Sequence, residues 1–160
     1  MKIISHRGNV NGPITDDENK PSYIDCAIQS GYGVEIDVRC ANGQFYLGHD
    51  LPTYVISSRW ILDRSKELWV HCKNLEAAHQ LGELSHELRC FCHTSDSYVW
   101  ITNGNIWVHD VGLTLNDKCV IPLMTKQDIE NYNGGVVYGI CTDFVKFAEY
   151  NLTSKGLFKK

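Results

Sequence analysis

Short strand-like runs recur along the whole chain, and most of them are separated by a turn signal or a helical pattern. The eight runs are residues 2–5, 34–39, 44–49, 67–73, 89–93, 106–109, 119–124 and 136–143, and helical patterns cover residues 21–30, 75–88 and 126–132. Strands that alternate with helical connections usually pair in parallel. The sequence therefore predicts an α/β fold with a mainly parallel sheet.

The length of the chain limits which parallel fold it can form. Eight strands suggest a (β/α)8 barrel, but such barrels typically take about 250 residues. This chain has 160 residues, and eight units would leave about 20 residues each, when one strand and one helix together average about 17. We therefore predict a trimmed, distorted (β/α)8 TIM-type barrel with several helices reduced to loops, forming a single domain over residues 1–160. A smaller open sheet is the alternative.

Charge and cysteine content argue against several classes of protein. The 15 Lys and Arg residues against 19 Asp and Glu residues give a net charge of −4, whereas nucleic acids and anionic lipids are bound through basic surfaces. No run approaches the roughly 20 apolar residues of a membrane span. The seven cysteines are an odd number, and we expect no secretory signal, because residues 1–7 become polar before an apolar region could form. We expect reduced thiols, a cytoplasmic location, no nucleic-acid partner and no stable membrane anchor.

Ionisable residues collect at the predicted carboxyl ends of the strands. They are His6, Arg7, Glu35, Asp37, His49, Asp50, His71, Lys73, His93, His109 and Asp143. In parallel α/β folds these strand ends meet at one face of the sheet, where active sites are built. Packing alone does not explain so many of them, because a buried ionisable group needs a partner. We expect these side chains to form a site.

Two carboxylates stand out within this set. Glu35 and Asp37 are two residues apart on one predicted strand, so both lie on the same face. Two oxygen ligands on one face are what a single Mg²⁺ or Ca²⁺ ion requires. The Asn-Gly turn at residues 42–43 folds the next strand back beside them. The sequence leaves the register open, and a one-residue slip decides whether His49 or Asp50 joins the carboxylates.

Several short motifs follow one another over residues 1–50. They are His6-Arg7-Gly8, Glu18-Asn19, a helix ending in Gly31, Glu35-Ile36-Asp37-Val38 and Gly48-His49-Asp50. In order and spacing they resemble glycerophosphodiester phosphodiesterases. The resemblance returns at residues 139–143, which are similar to the family's final Gly-x-x-Thr-Asp strand. It is weaker at residues 70–73, where the family usually has Glu-x-Lys. It implies a distorted TIM barrel of the phosphatidylinositol-phospholipase-C-like superfamily.

The resemblance implies a metal-assisted attack on a phosphodiester. His6 and His49 match the family's general acid and base, and imidazoles can exchange protons in this way near neutral pH. Glu35 and Asp37 match the family's metal-binding carboxylates. His71 stands where the family has a third ligand, a glutamate. The site is therefore expected to keep the family's chemistry with one changed ligand.

Two cations and a metal ion complete the expected site. Lys73 matches the family's phosphate-facing lysine, and Arg7 can pair with phosphate oxygens as charge develops on them. The implied cofactor is a divalent cation, Mg²⁺ or Ca²⁺. Mn²⁺ or Zn²⁺ is an alternative, because the imidazole of His71 favours these ions over the harder Ca²⁺.

The expected function is that of a phosphoric diester hydrolase. Its substrate would be a small, glycerophosphodiester-like phosphodiester, and the protein would be a monomer or a small homo-oligomer. The nucleophile is either water or a hydroxyl group adjacent to the phosphate. The change at His71 motivates an alternative, a barrel that binds a phospholigand without turnover. A third hypothesis is a zinc hydrolase that uses His71, His93 and His109.

Overall fold

The computed structural model describes residues 1–84 and 86–159, and this part of the chain contains ten strands and five helices. The strands are β1 (Lys2–His6), β2 (Gly33–Ala41), β3 (Gln44–Leu47), β4 (Tyr54–Ile56), β5 (Leu68–Cys72), β6 (Cys90–Phe91), β7 (Tyr98–Trp100), β8 (Ile106–Val108), β9 (Cys119–Pro122) and β10 (Gly139–Thr142). The helices are α1 (Pro21–Gln29), α2 (Ser58–Leu62), α3 (Leu75–Gly82), α4 (Lys126–Asn131) and α5 (Val145–Ser154).

One mainly parallel sheet organises the fold, so the predicted α/β class is confirmed. Seven strands run parallel in the order β6-β5-β2-β1-β10-β9-β8. β7 pairs antiparallel with β8, and β3 and β4 extend antiparallel from the second half of β2. The first and last strands of the chain are therefore neighbours, with Ser5 opposite Thr142. This order brings the carboxyl ends of β1, β2, β5 and β10 together.

The sheet curls but does not close, which corrects the predicted (β/α)8 barrel. Within the described residues no ladder joins β6 to β7 or β8, so the sheet is an open half-barrel. The gap is spanned by a hydrogen bond of 3.0 Å from the Thr102 amide to the Cys90 carbonyl. It is also spanned by the stacked rings of Phe91 and Trp107, whose centroids are 4.7 Å apart. β6 has only two residues, too few to support a regular ladder on both of its edges.

Apolar side chains form three clusters that define the two faces of the sheet. One cluster packs α1, α2 and α3 against β2 and β5, and a second packs α4 and α5 against β1 and β10. The third fills the inside of the curl and contains Ile4, Trp69 and Val120. Val34, Ile36 and Val38 belong to the first cluster, so the alternating side chains of Glu35 and Asp37 face into the curl.

Most predicted elements are present with shifted ends. α1 and α4 lie within one residue of their predicted bounds. α3 ends at Gly82 rather than at residue 88, because glycine has a low helix propensity; residue 85 of that prediction lies outside the described residues. β4, β7, α2 and α5 were not predicted. Within the described residues, no helix is both long enough and apolar enough to span a membrane.

Candidate active site

The seven side chains to which the sequence assigned a catalytic, metal-binding or phosphate-binding role all line one cavity, of about 280 Å³, at the carboxyl ends of the strands. They are His6, Arg7, Glu35, Asp37, His49, His71 and Lys73. Strand register explains the convergence, because His6 lies opposite Glu35 across the β1–β2 ladder and Asp37 lies opposite His71 across the β2–β5 ladder. The structure therefore brings residues from four segments of the chain together.

Glu35, Asp37 and His71 form a buried group whose candidate ligand atoms all lie within 4.8 Å of one another. The Nδ1 atom of His71 is 3.2 Å from Asp37 Oδ1 and 3.7 Å from Glu35 Oε1. Among the residues that the structure describes, Glu35 Oε2 and Asp37 Oδ1 are buried and have no hydrogen-bond partner. Because unpaired buried polar atoms cost free energy, two such oxygens beside an imidazole fit the donor set of a divalent cation.

The two carboxylates have opposite pKa shifts. Burial, and then the neighbouring charge of Asp37, raise the pKa of Glu35 to about 8. Burial also acts to raise the pKa of Asp37, but the nearby His71 ring and the Arg7 guanidinium outweigh it and lower that pKa below its ordinary value. Without a cation, the pair therefore carries about one negative charge near neutral pH. A bound cation would favour ionisation of both groups.

Arg7 and Lys73 approach Asp37 from two sides. Arg7 Nε lies 2.9 Å from Asp37 Oδ2 as an ion pair, and Arg7 Nη1 donates to Glu18 Oε2 at 3.0 Å. Lys73 Nζ is 3.8 Å from Asp37 Oδ1. Asn19 donates from Nδ2 to Asp37 Oδ2 at 2.9 Å and accepts the Asp37 amide on Oδ1. Glu18 and Asn19, recognised in the sequence only as a motif, thus hold the site together.

His6 is oriented by Asp143, which the sequence indicated only as a strand-end residue. The His6 Nδ1–H donates to Asp143 Oδ1 at 2.8 Å, and His6 Nε2 faces Glu35 Oε2 at 3.9 Å. In the neutral ring this contact favours the tautomer with the proton on Nδ1, whose Nε2 lone pair is directed at Glu35. Burial lowers the pKa of His6, but the Asp143 hydrogen bond and the Glu35 charge raise it above its ordinary value.

The β2–β3 hairpin resolves the register that the sequence left open. Val38 lies opposite Leu47, and the Gly48 amide donates to the Asp37 carbonyl at 3.0 Å. Gly48 has φ of +147°, and a Cβ there would lie 2.0 Å from the Leu51 carbonyl oxygen, so only glycine fits this turn. His49 consequently lines the cavity at its rim. Its Nδ1 contacts Oδ1 of Asp50 at 2.7 Å, and the Asp50 side chain is 89% exposed.

Asn9 connects the two halves of the site, and nothing in the sequence pattern pointed to it. This fully buried side chain donates from Nδ2 to Asp143 Oδ1 at 2.8 Å and to Glu18 Oε1 at 2.9 Å. Its Oδ1 accepts from the Ile14 amide at 3.1 Å. One amide group therefore holds the carboxylate that orients His6 and the carboxylate that pairs with Arg7.

Replacing Asn9 with alanine is expected to destabilise the fold by about 1–3 kcal/mol, because the buried Asp143 carboxylate and the half-buried Glu18 carboxylate each lose a donor. Urea denaturation followed by circular dichroism measures this change. The matched control is Asn133→Ala at an exposed position, which should stay within about 0.5 kcal/mol of the wild type. Equal stabilities for the two variants would contradict the connecting role of Asn9.

A row of rings forms one wall of the cavity beside the carboxylates. The His71 ring stacks against both Phe91, at a centroid distance of 4.9 Å, and His93, at 4.6 Å, and these two rings are 6.3 Å from each other. His109 contacts His93 with a centroid distance of 3.9 Å. Within the described residues these three histidines do not form a group with converging ligand atoms. The zinc site of the third hypothesis is therefore not assembled in this structure.

Acidification is expected to lower the free energy of unfolding, because His93 in this row of rings becomes protonated. Burial, and then the charges of His71 and His109, lower the pKa of His93 to about 4, against an ordinary value of about 6.5. The unfolded chain then binds more protons, so the stabilisation is complete above pH 6.5 and is lost as the pH falls towards 4. Urea denaturation between pH 7 and pH 4 measures the slope. His93→Gln should flatten it, whereas the exposed His79→Gln should keep it.

Comparison with known proteins supports the fold. A solved structure of a glycerophosphodiester phosphodiesterase from Parabacteroides distasonis is similar to this chain, with a TM-score of 0.58. The alignment is 12% identical and covers 97% of this chain and 98% of that one. No protein-family model matches the sequence, and no curated protein does. At this level of identity the similarity establishes a shared fold, including the curled parallel sheet.

Proposed function

We propose that this protein is a metal-dependent phosphodiesterase that hydrolyses a small, glycerophosphodiester-like phosphodiester. The observation that carries the proposal is the placement of an oriented imidazole, His6, 3.9 Å from a buried carboxylate oxygen of Glu35 that has no hydrogen-bond partner within residues 1–84 and 86–159. The fold shared with a glycerophosphodiester phosphodiesterase supports it, although fold alone does not determine function. The site itself therefore provides the main argument.

Glu35, Asp37 and His71 would hold the cation. When bound, the cation would supply charge neutralisation to a phosphate oxygen and so lower the cost of attack on phosphorus. Glu35, whose pKa is about 8 without a cation, would give up its proton on binding. Cation affinity is therefore expected to rise with pH in the neutral range.

Arg7 and Lys73 would contact the phosphate oxygens. Both side chains line the cavity and contact Asp37, with Arg7 Nε 2.9 Å from Oδ2 and Lys73 Nζ 3.8 Å from Oδ1. Neutralisation of Asp37 by a cation would weaken these ion pairs and release donor groups towards the substrate. Charged donors held in this way stabilise the negative charge that develops during phosphoryl transfer.

His6 and His49 would carry out the two proton transfers. One imidazole removes the proton from the attacking water or hydroxyl as its oxygen bonds to phosphorus, and the other protonates the departing alcohol oxygen as its bond to phosphorus breaks. Asp143 keeps the Nε2 atom of His6 directed at the cavity. The cavity, of about 280 Å³, is below the size usual for drug-like ligands, which favours a small substrate.

Hydrolysis of bis(p-nitrophenyl) phosphate tests the proposal. Protein freed of metal by chelation should be inactive, and activity should return on addition of Mg²⁺, Ca²⁺, Mn²⁺ or Zn²⁺. The His86→Ala variant, altered at an exposed histidine, serves as a control for loss of an imidazole. No turnover with any of the four cations would contradict the proposed hydrolysis.

One observation favours a second candidate, a phospholigand-binding protein without turnover. His71 occupies the place of a third carboxylate, so the cation site has fewer negative ligands than the resemblance implies. Calorimetric titration with glycerophosphocholine separates the two candidates. Binding without release of product would support the binding protein and exclude the enzyme.

Replacement of His71 with glutamate is expected to change the preferred cation. An all-carboxylate ligand set suits Mg²⁺ and Ca²⁺, whereas an imidazole suits Mn²⁺ and Zn²⁺. The ratio of hydrolysis rates with Mn²⁺ and with Ca²⁺ should therefore fall in His71→Glu relative to the wild type. His93→Glu places the same charge one ring farther from the carboxylates and should leave the ratio closer to wild type. An unchanged ratio in His71→Glu would show that residue 71 is not a ligand.

A further inference from the structure

A second cavity, of about 560 Å³, lies at the amino-terminal ends of the strands, opposite the candidate active site. Lys2, Gly33 and Trp69, which stand near the starts of β1, β2 and β5, are among the residues that line it. The apolar cluster inside the curl, which contains Ile4, Trp69 and Val120, separates it from the carboxylates. Its volume lies within the range of about 300–1,000 Å³ that is usual for ligand pockets.

The lining of this cavity is cationic in a chain that carries a net charge of −4. Within the described residues, the lining includes four basic residues and two acidic ones: Lys2, Lys66, Arg89, Lys159, Glu67 and Glu149. The Glu149 carboxylate accepts a hydrogen bond of 2.6 Å from the Tyr32 hydroxyl. Positive charge focused in a cavity raises the local concentration of anions. The charge distribution therefore indicates an anionic ligand.

The Arg89 guanidinium is held in place by backbone carbonyls and lies near an aromatic ring. Its Nη1 donates to the carbonyls of Ser65 and Lys66, and its guanidinium lies 5.2 Å from the centroid of the Trp69 ring. Within the described part of the chain, no hydrogen bond from Nε or Nη2 accompanies these contacts. A fixed guanidinium with two donor nitrogens remaining, Nε and Nη2, can bind the oxygens of a planar carboxylate or of a tetrahedral sulfonate or phosphate.

Aromatic side chains form the apolar part of the same cavity. Trp69 and Tyr138 meet edge to face with centroids 5.7 Å apart, and both line it. Gly33 lies close against the Trp69 indole, since a Cβ at this position would lie 3.3 Å from Nε1. Ring edges and faces of this kind pack against a flat apolar group.

We infer that this cavity binds a small organic anion with an apolar ring. The anionic group would contact Arg89, Lys66 and Lys2, and the ring would pack against Trp69 and Tyr138. This inference is independent of the proposed phosphodiesterase activity, because the two cavities have no lining residue in common in the part of the chain that the structure describes. The site would therefore be a ligand site distinct from catalysis.

Titration with 8-anilinonaphthalene-1-sulfonate tests the inference, because this probe is a ring-bearing sulfonate whose fluorescence rises on binding. Folded protein should bind one equivalent. The double variant Lys2→Gln/Lys66→Gln should bind it about five- to tenfold more weakly at low salt. Lys118→Gln removes one exposed lysine just before β9, outside the cavity lining, and should bind it like the wild type.

Two further measurements show which part of the inference holds. Benzenesulfonate should displace the probe at lower concentration than sulfate, and equal displacement would overturn the assignment of the ring. Probe binding should persist in Glu35→Gln, so failure of the phosphodiesterase proposal would not affect this result. The inference is overturned if the double variant binds as tightly as Lys118→Gln, or if the wild type binds no probe while circular dichroism shows it folded.

Discussion

His6→Ala is expected to lower kcat for bis(p-nitrophenyl) phosphate by about 10²–10⁴-fold, the usual contribution of a positioned acid or base. The His6 imidazole has a carboxylate partner, Asp143, 2.8 Å from Nδ1, and its Nε2 faces Glu35 at 3.9 Å. Its removal leaves the cation ligands and Arg7 in place, so substrate binding should change less than turnover. Steady-state kinetics with the metal-loaded variant measures both parameters.

Asp143→Asn serves as a companion to this variant. An asparagine amide can donate as well as accept, so it no longer fixes the proton on Nδ1 of His6. The variant should lose part of the rate and shift the pH profile, whereas His86→Ala should match the wild type. A rate within about threefold of wild type for His6→Ala, less than 1 kcal/mol in activation free energy, would remove His6 from the mechanism.

Removal of the carboxylate ligands is the second change with a large expected effect. Glu35→Gln and Asp37→Asn keep the shape of each side chain but remove the negative charge that a divalent cation requires. Charge stabilisation by a metal ion contributes several kcal/mol, so each variant should lose about 10³-fold in rate. Calorimetric titration with Mn²⁺ should show weakened or absent binding in both.

Thermal unfolding provides a readout that does not depend on turnover. A cation that binds the folded chain raises its stability by mass action, so Mn²⁺ should raise the Tm of the wild type and not that of Glu35→Gln. The control is Asp117→Asn, at an exposed position, which should respond as the wild type does. An equal rise of Tm in Glu35→Gln would place the cation elsewhere.

Local patterns predicted the first half of the site well. The alternation over residues 34–39 determined which face of β2 carries Glu35 and Asp37, because a strand has only two faces. The Asn-Gly turn then predicted that the end of the next strand returns beside these carboxylates. The sequence could not decide between His49 and Asp50, since the choice depends on the ladder between Val38 and Leu47 and on the glycine turn at residue 48.

Contacts between distant segments were harder to predict. Asn9 reaches Asp143 across 134 positions, and its neighbours in the sequence form no regular pattern that would mark a buried side chain. The open sheet was also missed, because closure depends on whether β6 is long enough to pair on both edges. α5 was also missed: α1 is marked in the sequence by Pro21 at its first turn, whereas Phe144 and Val145, where α5 begins, are neither capping residues nor prolines.

The position of β1 between β2 and β10 has a consequence for how the chain matures. During synthesis β1 and β2 can pair early, but the hydrogen bond between His6 and Asp143 spans 137 positions and must wait until β10 has emerged. Long-range pairings of this kind form slowly. In a nascent or partly refolded chain, Glu35 and Asp37 would therefore be in place before Asp143 orients the His6 imidazole. The proposed activity would appear only after β10 has paired.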